Sequence, residues 1–165
     1  MNISKKSVAV LFLIVSSTLT VFTTTSVAMA GKQSTVQKFY DFLSNPGSQA
    51  HADELTKVMA DDWESIGDYS GRAKTKQKFL AQMGGFAKLI PDLNWEVKEM
   101  YRDGRNVIVR GRATGTPQGP LFGVDGKGKG FDILTIDIHT LERGKIVRSY
   151  HVEDWAGALR QLKSQ

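Results

Sequence analysis

Residues 130–162 read GFDILTIDIHTLERGKIVRSYHVEDWAGALRQL, and this stretch decides the fold. Apolar and polar residues alternate through two segments, which is typical of half-buried strands. We predict strands over residues 131–141 and 146–154, joined at Glu142, Arg143 and Gly144, and a closing helix over residues 155–162. Two strands joined by a tight turn form an antiparallel hairpin.

The two faces of this hairpin differ in polarity. An odd-length loop centred on Arg143 and Gly144 pairs odd-numbered residues across the strands, and side chains alternate between faces. Asp137 then lies opposite His151, about 5 Å away at Cβ. The polar face carries Thr135, Asp137, His139, Val147, Ser149, His151 and Glu153. The other face carries Ile136, Ile138, Ile146, Tyr150, Val152 and Asp154.

A carboxylate beside an imidazole is a candidate proton-transfer pair. Asp137 would orient the His151 ring and favour its protonated form, and the ring can exchange a proton near neutral pH. We therefore predict Asp137 and His151 as catalytic residues, with His139 nearby. The alternative is that the polar face of the hairpin meets water and these side chains are only solvated.

The preceding chain predicts helices followed by strands. Helical spacing indicates a first helix after Ser34, a second over residues 52–60 and a third over residues 74–89, which Gly84 and Gly85 could end early. Alternation predicts strands over residues 93–103 and 107–116, with Leu93, Trp95, Val97 and Tyr101 on one side of the first. A glycine-rich connection follows over residues 115–130. This order predicts one α+β domain with helices packed on one face of an antiparallel sheet.

The N-terminus has the features of a secretory signal peptide. Lys5 and Lys6 precede an apolar run over residues 8–15, and Ala28-Met29-Ala30 is a small-residue cleavage site. We predict cleavage after Ala30, a mature domain over residues 31–165, periplasmic or secreted localisation, and no membrane span after cleavage. Retention as an uncleaved anchor is the alternative.

Composition excludes several classes of function. Without Lys5 and Lys6 the formal charge falls from +5 to +3, with 20 basic and 17 acidic residues dispersed along the chain, so no nucleic-acid-binding face is indicated. Cysteine is absent, which excludes disulfides and thiolate chemistry. The three histidines lack metal-ligand spacing, and neither a G-x-S-x-G elbow nor a phosphate loop occurs. We predict no metal and no cofactor.

Several segments together resemble a known family. They are Pro91-Asp92-Leu93, the GTPQGPLFGV loop, IDIHTLERGKIV and the closing DWAGALRQL. The chain is similar to the SnoaL-like polyketide cyclase or ester cyclase branch of the nuclear transport factor 2-like superfamily. The resemblance implies a cone-shaped domain, in which a curved sheet wraps around helices and leaves a deep pocket, and a homodimer formed through the sheet.

The resemblance also implies roles for individual residues. It implies a general acid/base Asp on the last strand and a His on its neighbour, and here the two types are exchanged, with His151 and Asp137 in those places. Tyr40 matches the position of a ligand-contacting tyrosine. Asp154 matches a motif position, although an Asp before a helix is also an ordinary N-cap.

The remaining predicted ligand contacts are aromatic or cationic. Trp63, Trp95 and Phe122 would form an aromatic wall, although large aromatic residues more often serve packing. Arg110 would neutralise a ligand carboxylate or enolate, or would form a salt bridge on the sheet face. Tyr150 completes the predicted set.

These observations lead to three hypotheses. The first is an exported SnoaL-like domain that binds a small hydrophobic carbonyl compound and performs cofactor-free cyclisation or isomerisation through Asp137 and His151. The second is a non-catalytic periplasmic binding or accessory module that uses the same pocket. The third is a structural dimer whose sheet face is the functional surface.

Overall fold

A computed structural model describes residues 19–164, and the surroundings of side chains from residue 31 onward. Within this part the chain forms four helices: α1 (Leu19–Ser44), α2 (Gln49–Val58), α3 (Lys76–Leu89) and α4 (Trp155–Lys163). It also forms six strands: β1 (Met59–Ile66), β2 (Lys74–Thr75), β3 (Asn94–Asp103), β4 (Asn106–Gly115), β5 (Phe131–Glu142) and β6 (Lys145–Glu153). The α+β prediction is confirmed.

The strands form one curved sheet in the order β2-β1-β6-β5-β4-β3. All neighbours are antiparallel except β1 and β6, which are parallel. The core lies between the sheet and the helices, and it includes Phe39 and Phe42 of α1, Phe79 of α3 and Ala158 of α4. This enclosed side of the sheet is called the inner face below.

The helix boundaries follow from capping and packing. Ser48 caps α2, and the Thr75 hydroxyl accepts a hydrogen bond from the Lys78 amide, so α3 begins at Lys76 rather than at the predicted residue 74. The prediction that Gly84 and Gly85 could end α3 early is wrong, because the helix continues to Leu89. Burial of Phe79 and Met83 outweighs a cost of about 1 kcal/mol per helical glycine.

The β5–β6 hairpin has a shorter turn than predicted. Glu142 pairs with Lys145, so the turn contains only Arg143 and Gly144, whose φ angles are 49° and 79°. These positive angles are typical of a type I′ turn. A two-residue turn alone would pair odd with even residues.

A bulge next to the turn restores the predicted pairing. The register shifts between Thr140 and Leu141, which places Asp137 opposite His151 as predicted. On the turn side of the shift, however, the prediction for Ile146 is wrong. Ile146 lies in the core with none of its surface exposed, because the bulge reverses the alternation of faces there.

A second bulge corrects the prediction for Tyr101. The register of β3 on β4 shifts between Val97 and Glu99. Beyond this shift the faces reverse, so Met100 packs against the core and Tyr101 is 57% exposed.

The predicted signal peptide lies only partly within the described residues. Its apolar run over residues 8–15 lies outside them, whereas Ala28-Met29-Ala30 lies within α1. Among the described residues, no helix combines the length and apolarity needed to cross a bilayer.

Candidate active site

The polar face of the hairpin is the inner face. Along β5, Thr135, Asp137 and His139 are buried, whereas Ile136 and Ile138 are each 38% exposed. The alternative in which the polar face meets water is therefore wrong. Buried polar groups require hydrogen-bond partners, and every buried side-chain nitrogen or oxygen in the described part of the chain has one.

A cavity of about 70 Å³ opens on this inner face. Four titratable residues line it: Lys74, Asp137, His151 and Glu153. The apolar part of its wall includes Phe39, Phe79, Met83, Phe86, Trp95 and Trp155. The cavity thus combines an aromatic wall with a cluster of charged groups.

Asp137 has the properties of a proton-transfer group. Its side chain lines the cavity, and the Tyr40 hydroxyl donates a hydrogen bond of 2.8 Å to its Oδ2. Burial raises the pKa of the Asp137 carboxyl from 3.8 to about 7, although the Tyr40 hydrogen bond opposes this rise. A carboxyl group with such a pKa can accept or donate a proton near neutral pH.

His151 is oriented by Glu153 and not, as predicted, by Asp137. The His151 Nδ1 lies 2.8 Å from the Glu153 Oε1. This hydrogen bond raises the pKa of His151, although partial burial opposes the rise. Gly67 leaves room for the ring, since a Cβ atom there would lie 3.1 Å from Nε2. Asp137 contributes to the raised pKa as a nearby negative charge.

A chain of hydrogen bonds extends behind Asp137. Tyr40 Oη lies 3.0 Å from His139 Nε2, His139 Nδ1 lies 2.8 Å from Ser149 Oγ, and Trp63 Nε1 donates to Ser149 Oγ at 3.1 Å. Because the indole only donates, a continuous sequence of donors runs from Trp63 through Ser149, His139 and Tyr40 to the Asp137 carboxylate. With Asp137 ionised, this sequence requires the Nε2–H tautomer of His139.

His139 is a neutral part of that chain. Its side chain is fully buried, and burial lowers its pKa to about 3. It does not line the cavity. His139, predicted as a catalytic residue, is connected to the cavity through two residues that line it: directly through Ser149, and through Tyr40 to Asp137.

Comparison with known proteins gives the family. The model of the family described as SnoaL-like polyketide cyclase matches residues 34–162. The chain belongs to this family. No curated protein sequence matches it.

Solved structures of other proteins share the fold. TsrD from Streptomyces laurentii is 19% identical and superposes with a TM-score of 0.70, covering 82% of this chain and 97% of TsrD. A candidate SnoaL-like polyketide cyclase from Jannaschia sp. CCS1 is 22% identical, with a TM-score of 0.71 and coverage of 82% and 94%. IdmH, a candidate polyketide cyclase from Streptomyces antibioticus, is 20% identical, with a TM-score of 0.70 and coverage of 81% and 99%.

Of the four predicted aromatic ligand contacts on α1, β1, β3 and the glycine-rich connection, one lines the cavity and three do not. Trp95 lines the cavity and donates from Nε1 to Thr135 Oγ1 at 3.3 Å. Tyr40 and Trp63 lie behind the wall in the hydrogen-bonded chain. Phe122 lies outside the wall and is 57% exposed, with its ring centroid 5.5 Å from that of Trp155.

Three more of the predicted ligand contacts lie away from this cavity. Arg110 is exposed, and its Nε donates to Glu99 Oε2 at 3.0 Å, which fits the salt-bridge alternative. Tyr150 lies on the outer face of β6 and is 38% exposed. Asp154 caps α4, where its Oδ1 accepts a hydrogen bond of 2.8 Å from the Gly157 amide.

Sequence reasoning missed two charged groups of the site. Glu153 follows His151 by two residues on the same strand face, so the alternation could have identified it as the partner of the imidazole. Lys74 carried no such signal, because β2 contains two residues and the sequence predicted a helix there. Among the described residues, no three His, Asp or Glu side chains come together as potential metal ligands.

Proposed function

We propose that the cavity binds a small hydrophobic carbonyl compound, and that Asp137 and His151 transfer a proton within it without a cofactor. The observation that carries this proposal is the placement of both groups opposite one another at the wall of one cavity. Such a site would catalyse the cyclisation or isomerisation expected of a SnoaL-like polyketide cyclase.

The raised pKa values assign a role to each group. Asp137 has a pKa of about 7, so near neutral pH part of it is ionised and can remove a proton from a carbon next to the carbonyl. His151 has a raised pKa, and its Nδ1 is held by Glu153, so its protonated ring can donate to the carbonyl oxygen. In an unsaturated carbonyl compound, return of the proton from Asp137 to another carbon of the conjugated enol, with return of the hydroxyl proton to His151, would complete an isomerisation.

The size of the cavity limits the ligand. A volume of about 70 Å³ is well below the roughly 300–1,000 Å³ of pockets that hold drug-sized ligands. The cavity therefore suits a small carbonyl compound or the reacting end of a longer one.

Hydrogen exchange tests the proposal without knowledge of the natural substrate. Cyclopentanone is a small neutral ketone, and exchange of its protons next to the carbonyl in D₂O is followed by NMR. We expect the wild type to accelerate exchange, and the Asp137→Asn and His151→Gln variants to lose the acceleration. Asp132→Asn is the matched control, since Asp132 lies exposed on the same strand in a bidentate hydrogen bond with Arg112.

The non-catalytic binding module is the alternative outcome. Cyclopentanone that binds in the cavity without accelerated exchange would refute proton transfer and support that second hypothesis.

The outer face of the sheet supports a homodimer. It exposes a group of apolar side chains on β5 and β6: Leu134, Ile136, Ile138, Tyr150 and Val152. Contiguous exposed apolar side chains mark an interaction surface, and we propose that a second copy covers them. Light scattering should give twice the monomer mass for the wild type and the monomer mass for Ile136→Lys. A monomeric wild type would refute the dimer.

Export remains a proposal based on the N-terminal sequence. We propose cleavage after Ala30 and release of residues 31–165 into the periplasm or the medium. N-terminal sequencing of the exported protein should begin at Gly31. An unprocessed chain in the cytoplasmic fraction would contradict the proposed export.

A further inference from the structure

Lys74 places a positive charge at the wall of the cavity. Its neighbour across the sheet is Ser65, which pairs with Ser149, which in turn pairs with His139. Lys74 therefore lies in one row across β2, β1, β6 and β5 on the inner face. Asp137 and His151 occupy the next row.

This lysine has no partner for its charge among the described residues. None of its nitrogen–oxygen distances to a carboxylate there is within 4 Å. The carboxyl group of Glu153 lies near Lys74, but it is hydrogen-bonded to His151. Partial burial lowers the pKa of Lys74, although Glu153 opposes this effect. A partly dehydrated cation facing a cavity favours an anionic partner.

Lys74 is one of two cationic groups that can face the cavity. The titratable groups in its wall are Lys74, Asp137, His151 and Glu153. When His151 is protonated and Asp137 is ionised, as the proposed mechanism requires, two positive groups balance two negative groups. Glu153 is hydrogen-bonded to His151, so Lys74 is the positive group left to attract an anionic ligand.

We propose that Lys74 binds the carboxylate of the substrate, so that the ligand is a short oxo acid whose carbonyl end lies between Asp137 and His151. This inference rests on the proposed function, whose substrate class it narrows. Neighbouring strands are about 5 Å apart, so β2 and β6 are separated by about 10 Å. Both ends of this span line the same cavity, whose volume of about 70 Å³ limits the oxo acid to a short one.

A matched pair of probes tests this proposal. Acetoacetate carries the carboxylate, and acetoacetamide is its neutral isostere. Affinities are measured by titration calorimetry for the wild type, Lys74→Met, Lys74→Arg and Lys78→Met. Lys78 is an exposed lysine on α3 and serves as the control.

We expect the wild type and Lys78→Met to bind acetoacetate about tenfold more tightly than acetoacetamide, since a charge-assisted hydrogen bond is roughly twice as strong as a neutral one. Lys74→Met should lose this preference and keep its affinity for the amide, which also shows that the variant is folded. Lys74→Arg should retain the preference.

Three results would overturn the inference: equal affinities in the wild type, a preference that persists in Lys74→Met, or no binding of acetoacetate at millimolar concentration. The cyclopentanone exchange assay is independent of Lys74. Anion preference without exchange would refute only proton transfer, whereas exchange without anion preference would refute only the role of Lys74.

Discussion

Replacement of Asp137 by Asn should change how stability depends on pH. Folded Asp137 keeps its proton up to a pKa of about 7, whereas the unfolded chain loses it near pH 3.8. The folded state therefore binds more protons in this window, and wild-type stability falls as the pH rises through it. A difference of about 3 pKa units corresponds to at most about 4 kcal/mol in the free energy of unfolding.

His139 has the opposite effect in the same window. Burial lowers its pKa from 6.5 to about 3 in the folded state. The unfolded chain binds the extra proton between these values, so stability rises with pH, by at most about 5 kcal/mol. In the wild type the two effects nearly cancel between about pH 4 and 6.5. In Asp137→Asn the effect of His139 remains without the opposing effect of Asp137. The Asn oxygen can still accept the Tyr40 hydrogen bond.

Urea unfolding followed by tryptophan fluorescence measures this difference. Between about pH 4 and 8, we expect the free energy of unfolding of Asp137→Asn to increase relative to that of the wild type. The increase should be at most about 4 kcal/mol. Asp132→Asn, the exposed control on β5, should show no such increase. A difference between Asp137→Asn and the wild type that stays constant within about 1 kcal/mol would refute the assignment of a raised pKa to Asp137.

Three further substitutions test neighbouring groups. Tyr40→Phe removes the hydrogen bond that lowers the pKa of Asp137. The pKa of Asp137 should therefore rise further, and the pH at which cyclopentanone exchange accelerates should rise with it. An unchanged pH profile of exchange would contradict the effect of Tyr40 on Asp137. Glu153→Gln removes the main cause of the raised pKa of His151, so NMR titration of that ring should show a lower pKa, and an unaltered titration would exclude Glu153 as its partner. Arg143→Asn places the favoured Asn-Gly pair in the type I′ turn between β5 and β6, and it should increase the free energy of unfolding by about 0.5–1 kcal/mol. A less stable variant would contradict the assignment of a type I′ turn.

Alternation along the last two strands predicted much of the site. It placed Asp137 opposite His151 and separated the polar from the apolar face, because one buried face fixes the register of a strand. The pairing was correct although the assumed turn length was wrong, since the bulge adds the residue that the shorter turn lacks. A bulge leaves no clear mark in a sequence, and for this reason Ile146 and Tyr101 were assigned to the wrong faces.

The partners of the site were harder to predict than its strands. Asp137 receives its hydrogen bond from Tyr40, which is 97 residues away, and Lys74 joins the inner face through a two-residue strand. Such contacts depend on how separate elements pack together. Arg110 was misplaced for a related reason, because the sequence did not show which face of β4 the helices cover.

The most direct test of the proposed mechanism is carbon-13 NMR titration of the aspartate carboxyl groups, with Asp137→Asn used to assign the Asp137 resonance. The proposed mechanism predicts a pKa of about 7 for Asp137, and ionisation that follows the rise in cyclopentanone exchange with pH. A resonance that titrates near the ordinary aspartate value of about 4 would contradict proton transfer by Asp137.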